Sequence, residues 1–557
     1  MRKLSTDITA KPDSSFLTES DIENRQGNRF SLGRIYFFYG FLIICFLLLI
    51  GRLFELQIIL GARNRLLAEE NRIKKEIIPA PRGMIYDRQG KPLIKNKPVY
   101  RLKKENCDLE EGDCFEEISR EEALRIEVAG GKKEADLRLD VGRDYLYGQA
   151  LAHVLGYLGE ASEEEVRKNQ WQLGDLVGRT GIEEEYEKIL RGQDGGVIYE
   201  VDTAGNRVRE IGRTESLPGQ DLHLSLDAQL SKVAYQALKG RPGVVVVTEV
   251  KTGQVIVLIS SPSFDPNQIK SEDLINESKP MFNRAISGAY PPGSTFKIVT
   301  VAAGIEEGKV DEGTVYEDQG FIQIGDYIYK NWYYTQYGRT EGEINLVRAI
   351  KRSTDTFFYK IGEWVGANKL AEWGKAFGLG RETRIDLKGE VKGLVPTPEW
   401  KEKTIGEKWF LGNTYHFAIG QADLLTTPLQ VNMMTSVIAN NGKLCSPKIK
   451  QGDQTAECVD LKLKPETLKL IKEGMKEACS PEGTAFPFFD FSPQVGCKTG
   501  TAEFGDPEDR THAWLTAFAP VDDPEIVVTA LVEAGGEGSY VAAPIVKEVM
   551  EVWFKTD

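Results

Sequence analysis

Three short clusters of hydroxyl, amino and carboxylate side chains stand in a fixed order along the chain, and together they can activate a serine. The first is Pro291-Pro292-Gly293-Ser294-Thr295-Phe296-Lys297. Two prolines and a glycine make a rigid turn, and the apolar, small-residue run after it reads as a helix. Ser294 falls at the first turn, where outward-pointing backbone N–H groups favour negative charge. Residues i and i+3 share a helix face, so Lys297 lies against Ser294. A serine hydroxyl needs a base, and a lysine serves when burial or a neighbouring cation lowers its pKa. A bare S-x-x-K pattern arises by chance about once or twice in a chain this long. Spacing alone therefore does not decide the matter.

The second cluster is Arg352-Ser353-Thr354-Asp355, followed by an aromatic run. Ser353 can relay a proton, and Asp355 can orient Lys297 or accept from substrate amides. The plainer alternative is a helix cap, since Ser and Asp commonly start helices. The third cluster is Cys497-Lys498-Thr499-Gly500-Thr501-Ala502-Glu503, in a strand-like stretch. Lys498 and Thr499 offer a cation and a hydroxyl to a substrate carboxylate, and Gly500 permits close backbone approach. The Thr501 N–H can join the Ser294 N–H as an oxyanion hole. The same triplet also occurs at Lys251-Thr252-Gly253. That copy precedes the serine and separates two apolar runs, so it reads as a hairpin turn, and the site is assigned to Lys498.

These clusters need a framework. At 557 residues the chain exceeds one domain of ~100–200 residues, so two or three folded units are expected. A net charge of −14 without a basic stripe argues against nucleic-acid binding. The four histidines lie far apart, with no metal-ligand spacing, so no metal site is expected. The G-x-S-x-G elbow is absent. Among seven cysteines, Cys107 with Cys114 and Cys445 with Cys458 can each close a short disulfide outside the cytoplasm, or remain thiols. Cys497 reads as a strand side chain.

Residues 1–34 form a polar tail. An uncharged run over 35–51, extendable to 56, has the length and composition of a membrane-spanning helix. Residues 57–217 make an N-terminal domain in which the acidic stretch 105–117 reads as a solvated loop. Residues 218–557 make the larger domain. There, apolar β-branched runs at 244–250, 254–260, 495–503, 512–519 and 526–533 flank helical segments at 295–307, 346–362, 369–377, 428–440 and 465–479. Strands first and last with helices between suggest one antiparallel sheet assembled from both ends, an α/β (α+β) architecture.

Serine-x-x-lysine, then Ser-x-Asp, then Lys-Thr-Gly resembles the motif set of penicillin-binding proteins and β-lactamases. The segments 83–90, 181–183, 265–267, 283–285, 415–421 and 427–430 are similar to class B penicillin-binding proteins. The S-T-D form and Tyr415-His416-Phe417 are most like the elongation-type enzymes, although residues 93–147 are short for the usual head of the N-terminal pedestal. The resemblance implies a single-pass membrane protein with its catalytic domain outside the cytoplasm. Its implied chemistry is peptidoglycan D,D-transpeptidation through a Ser294 acyl-enzyme. The donor stem peptide ends in D-Ala-D-Ala, and the acceptor is an amine of a neighbouring peptide. Lys297 is then the base, Ser353 and Asp355 the second motif, and Lys498 with Thr499 the carboxylate holders, beside Gly500 and Thr501. β-Lactams should acylate the same serine. No cofactor is implied. A SEDS-family glycosyltransferase and elongation-complex scaffold proteins are the implied partners. A carboxypeptidase or penicillin sensor of the same superfamily, or an inactive scaffold, are the alternatives.

Overall fold

The computed structural model describes residues 32–64, 72–108, 113–129, 136–169, 171–202, 207–452 and 457–555. Most of the expected N-terminal tail lies outside them. Two compact units emerge, Met1–Glu76 with Gly196–Thr214, and Ile77–Gly195 with Glu215–Asp557.

The first unit contains the apolar helix Leu32–Phe54, which continues through a π-helical turn at Glu55–Ile59. Gly33–Ile59 is long and apolar enough to cross a membrane. The strands Ile73–Ile78, Gly195–Val201 and Arg207–Thr214 form a three-stranded sheet in that order.

In the second unit, the strands Pro92–Asp108 and Asp113–Ile118 pair antiparallel, with Tyr100 opposite Ile118. This corrects the expectation of a solvated loop over 105–117 for residues 105–108 and 113–117, while 109–112 lie outside the described residues. Cys114 is buried, and cross-strand pairing absorbs most of the acidic stretch despite its charge. Below this sheet, Arg82 and Arg143 are buried against Glu183 at 2.7 and 2.8 Å. The segments 83–90 and 181–183 meet around this ionic cluster. A Cβ on Gly83 would overlap the Gln220 carbonyl oxygen, so only glycine lets these chains approach.

The large sheet has five strands: β1 (Gly243–Glu249), β2 (Val255–Ser261), β3 (Gly496–Glu503), β4 (Thr511–Ala519) and β5 (Ile526–Val532). Its order is β2-β1-β5-β4-β3, and every neighbouring pair is antiparallel. Strands from both ends of the domain thus interleave, as the strand-first, strand-last pattern suggests. Val244 and Val246 pack into one core, and Val245 and Val247 into another on the opposite face. Burial on both faces explains why β1 is a continuous apolar run rather than an alternating one.

One face carries Pro428–Ala439, in which every residue is buried. The other carries Ala228–Ala237 and Gly538–Lys555. Thr427 and Gln430 form a capping box at the start of the buried helix. Gln430 Nε2 also donates to the carbonyls of Arg381 and Lys392 at 2.7 and 2.9 Å. Lys251-Thr252-Gly253 is the β1–β2 turn, with Lys251 exposed and paired to Asp523 at 3.1 Å.

Candidate active site

Ser294 sits on a 3-10 turn, Gly293–Phe296, that passes into the helix Lys297–Glu306. The expected single helix over 295–307 therefore begins with a tighter turn. Gly293 has φ +53°, and a Cβ there would stand 2.8 Å from the Thr501 carbonyl oxygen. Glycine is what lets the serine turn lie against β3. The Gly293 N–H also donates to the Gly420 carbonyl at 2.8 Å, which ties the 415–421 segment to the same turn.

The expected helix over 346–362 is two helices, Leu346–Arg352 and Asp355–Val365. Ser353 breaks them apart by adopting φ +55°, a left-handed conformation unfavourable for a residue with a Cβ. The break turns its hydroxyl toward Lys297. The fully buried Lys297 Nζ donates to Asp355 Oδ1 at 2.6 Å, Ser353 O at 2.8 Å and Ser353 Oγ at 3.0 Å. It also lies 4.8 Å from the centre of the Phe358 ring. Lys498 Nζ, equally buried, donates to the same Ser353 Oγ at 2.8 Å and to Thr499 O at 3.1 Å. One hydroxyl thus joins two lysines, and one carboxylate faces them.

That imbalance sets the electrostatics. Burial lowers the pKa of Lys297, and the neighbouring Asp355 only partly offsets it. Burial and the charge of Lys297 together push Lys498 well below the usual lysine range. Ser294 is not among the hydrogen-bond partners of Lys297, but both Ser294 and Ser353 line one cleft of about 330 Å³. Asp355, Thr499, Gly500 and Thr501 line it too. Lys297 and Lys498 stand behind its wall. All eight residues singled out from the sequence therefore converge on this cleft or the cluster behind it.

A supporting layer was not visible in the sequence. Asp355 Oδ2 accepts from the Trp332 N–H at 3.0 Å, and the Asp355 N–H donates to Asn331 Oδ1 at 3.2 Å. Asn331 in turn donates to Asp318 Oδ2 at 3.1 Å, and Thr356 Oγ1 donates to Asp318 Oδ1 at 2.7 Å. This chain fixes the carboxylate that faces Lys297. The only local signal is the cluster of polar residues among the aromatics of 316–337.

Disulfides brace the same region. Cys445 pairs with Cys458, one of the two openings left by the sequence. Cys497 pairs with Cys479 and joins the end of the helix Pro465–Ala478 to β3, one residue before Lys498. Cys497 is thus the strand side chain expected, and it is also disulfide-bonded. The segment that follows the helix carries Thr484, whose hydroxyl meets that of Thr499 at 2.8 Å. Cys114 is also disulfide-bonded, whereas the side chain of Cys107 lies outside the described residues. Cys45, in the apolar helix, is free.

The family described as penicillin binding protein transpeptidase domain matches residues 243–551. The penicillin-binding protein dimerisation domain matches residues 77–121 and 109–224. A peptidoglycan D,D-transpeptidase MrdA of Acinetobacter baumannii is 32% identical, covering 96% of this chain and 89% of the relative. The MrdA of Escherichia coli K12 is 31% identical, with 92% of each chain covered. The penicillin-binding protein PBP2 of Helicobacter pylori, solved in complex with MreC, superposes with a TM-score of 0.76 at 28% identity, covering 87% of this chain and 99% of that one. A structure of a peptidoglycan synthase complex that coordinates polymerization and crosslinking gives a TM-score of 0.74 at 31% identity, covering 94% and 99%.

Proposed function

We propose, from the premise that this chain belongs to the penicillin-binding protein transpeptidases and is a peptidoglycan D,D-transpeptidase of cell-wall elongation, that Ser294 is its acylated nucleophile. The observation that carries this reading is the cluster behind Ser294: two buried lysines joined through Ser353 Oγ and faced by a single carboxylate. A buried site with more ammonium groups than carboxylates holds a proton loosely, which is what a lysine base requires.

In the first half-reaction, Ser294 Oγ attacks the carbonyl carbon of the penultimate D-alanine of a donor peptide. Its proton passes to neutral Lys297. The backbone N–H groups of Ser294 and Thr501 stabilise the oxyanion. The C–N bond to the terminal D-alanine then breaks, and the leaving amine takes a proton relayed through Ser353. Both lone pairs of the Ser353 hydroxyl face lysines, so its own proton is the part left to donate. Thr499 and Thr501 line the cleft for the terminal carboxylate, and the Lys498 amine stands behind them on Ser353 Oγ. In the second half-reaction an acceptor amine attacks the ester. The amide C–N bond forms, the bond to Ser294 Oγ breaks, and a proton returns to that oxygen. β-Lactams stop after the first step.

Residues 35–56 are the anchor, 57–217 the pedestal and 218–557 the catalytic domain in this reading. Two disulfides in the catalytic part, and a free thiol within the apolar helix, support an extracytoplasmic location for it. A SEDS-family polymerase and scaffold proteins are its proposed partners, supported by the relatives solved with MreC and within a synthase complex. Incubation of the full chain with a D-Ala-D-Ala donor and an amine acceptor tests the reaction. Cross-linked product is expected together with released D-alanine. D-Alanine release without cross-links would make water the acceptor instead.

A further inference from the structure

Beside the Ser294 cleft lies a second cleft, of about 570 Å³, and the two share Gln421 and Glu503 as walls. Glu503 ends β3, the edge strand of the sheet. Side chains at alternate positions of a strand share a face, and Thr499, Thr501 and Glu503 all border the serine cleft. Glu503 thus stands at the point where the two clefts join.

Its side chain is exposed. Asp355, in the serine cleft, is paired with Lys297, and Glu537 accepts from Gln336 at 2.9 Å. No ion pair or hydrogen bond joins the Glu503 carboxylate to any described residue. Lys330 lines the serine cleft with it, and the second cleft offers it no cation. Its titratable walls besides Glu503 are His416 and His512. Burial lowers the pKa of His416, against the pull of Glu503, and burial takes His512 down to about 4. Both are neutral at neutral pH. The other walls include Pro291, Leu425 and Phe504. The second cleft therefore has one carboxylate in its lining, on the wall that it shares with the serine cleft. The serine cleft differs in having Lys297 and Lys498 behind its wall and Lys330, Asp355 and Glu537 in its lining.

We propose that the second cleft receives the acceptor strand's aliphatic side-chain amine, and that Glu503 holds its ammonium group at the mouth of the serine cleft. This rests on the acyl-enzyme reading above and adds to it where the second substrate binds. A donor with a terminal carboxylate suits the lysine side, and an acceptor with a terminal ammonium suits the Glu503 side, so charge sorts the two substrates. Glu503 is here a specificity-determining residue. It recognises the ammonium, which gives up one proton to solvent before the neutral amine attacks the ester.

Partition of the acyl-enzyme tests this. Full-length protein in detergent is acylated with a D-alanyl thioester donor. It is then offered either a lysine-type amine, cationic at neutral pH, or trifluoroethylamine, which is neutral there. The ratio of aminolysis to hydrolysis is read by mass spectrometry of the products. Because the ratio is taken per acyl-enzyme, the rate of acylation does not enter it. Glu503→Gln is expected to lower the ratio roughly five- to tenfold for the cationic amine, through a higher half-saturating concentration, and less than about twofold for the neutral one. Glu503→Asp should restore part of the loss. An equal loss for both amines would assign Glu503 a merely structural role and overturn the proposal, as would no loss for either. Absence of any acyl-enzyme in the unsubstituted protein is seen before these comparisons, and would remove the underlying reading together with the proposal.

Discussion

The protein buries two clusters of opposite charges, and they are built to opposite ends. In the N-terminal part, Arg82 and Arg143 meet Glu183, and Arg82 also meets Glu187. Burial disfavours the charge on Arg82, but Glu183 and Glu187 more than offset it, and its pKa rises. Burial likewise works against the Glu183 carboxylate and is outweighed by Arg82 and Arg143, so its pKa falls. Cations and anions match, and every charge there is fixed. Behind Ser294, two lysines face one carboxylate, and both lysines are driven toward their neutral forms. Arginine forks matched to carboxylates make a clamp, whereas lysines in excess make a proton reservoir.

Substitutions that exchange these characters should separate the two roles. The largest effect is expected for Lys297→Arg, which keeps the charge but removes the base. Acylation by a fluorescent penicillin should slow by roughly 10²- to 10⁴-fold with the fold intact. A variant that still acylates at the original rate would remove Lys297 from the chemistry. The pH profile sharpens the point. The neutral amine is the active form and burial lowers its pKa, so acylation should rise with pH and level off below the usual lysine value of about 10.4. Asp355 opposes that lowering, so Asp355→Asn should move the midpoint to still lower pH. A midpoint shifted upward would contradict the assigned electrostatics.

The converse change is Arg82→Ala, which leaves Glu183 to Arg143 and Glu187 to Arg191 in the other cluster. A loss of about 3 kcal/mol in urea unfolding is expected, because the buried Glu183 carboxylate loses one of its two arginine partners. The folded fraction should still bind penicillin. A loss under about 1 kcal/mol would mean that the clamp is not stabilising. Next comes the Cys479–Cys497 disulfide, which braces the lysine cluster. Cys479→Ser with Cys497→Ser should cost about 2–4 kcal/mol, read as a lower thermal midpoint without reductant. An unchanged midpoint would remove the brace. The smallest effect is expected for Lys251→Ala at the other Lys-Thr-Gly triplet. Its exposed pair with Asp523 is worth about 0–1 kcal/mol, and penicillin acylation should not change.

Much of the catalytic framework was legible because its signals are local. Ser294 and Lys297 are three residues apart, and the apolar β-branched runs name all five strands. Other features depend on contacts between distant residues. Asp318 reaches Asp355 through Asn331, and neither residue carries a motif. Helical propensity runs through 346–362 without marking Ser353, whose left-handed turn comes from tertiary packing around the lysines. The acidic composition of 105–117 suggested a loop, yet strand pairing in three dimensions overrode it at 105–108 and 113–117. Cys497 found its partner at the end of a helix, where spacing along the chain gives no hint.

The central claim is that one serine carries the acyl group. Intact protein incubated with a β-lactam, digested and sequenced by mass spectrometry, tests it most directly. The account predicts a single adduct on the peptide containing Ser294, and no adduct in the Ser294→Ala variant. A label on any other residue, or one that survives the substitution, would contradict it.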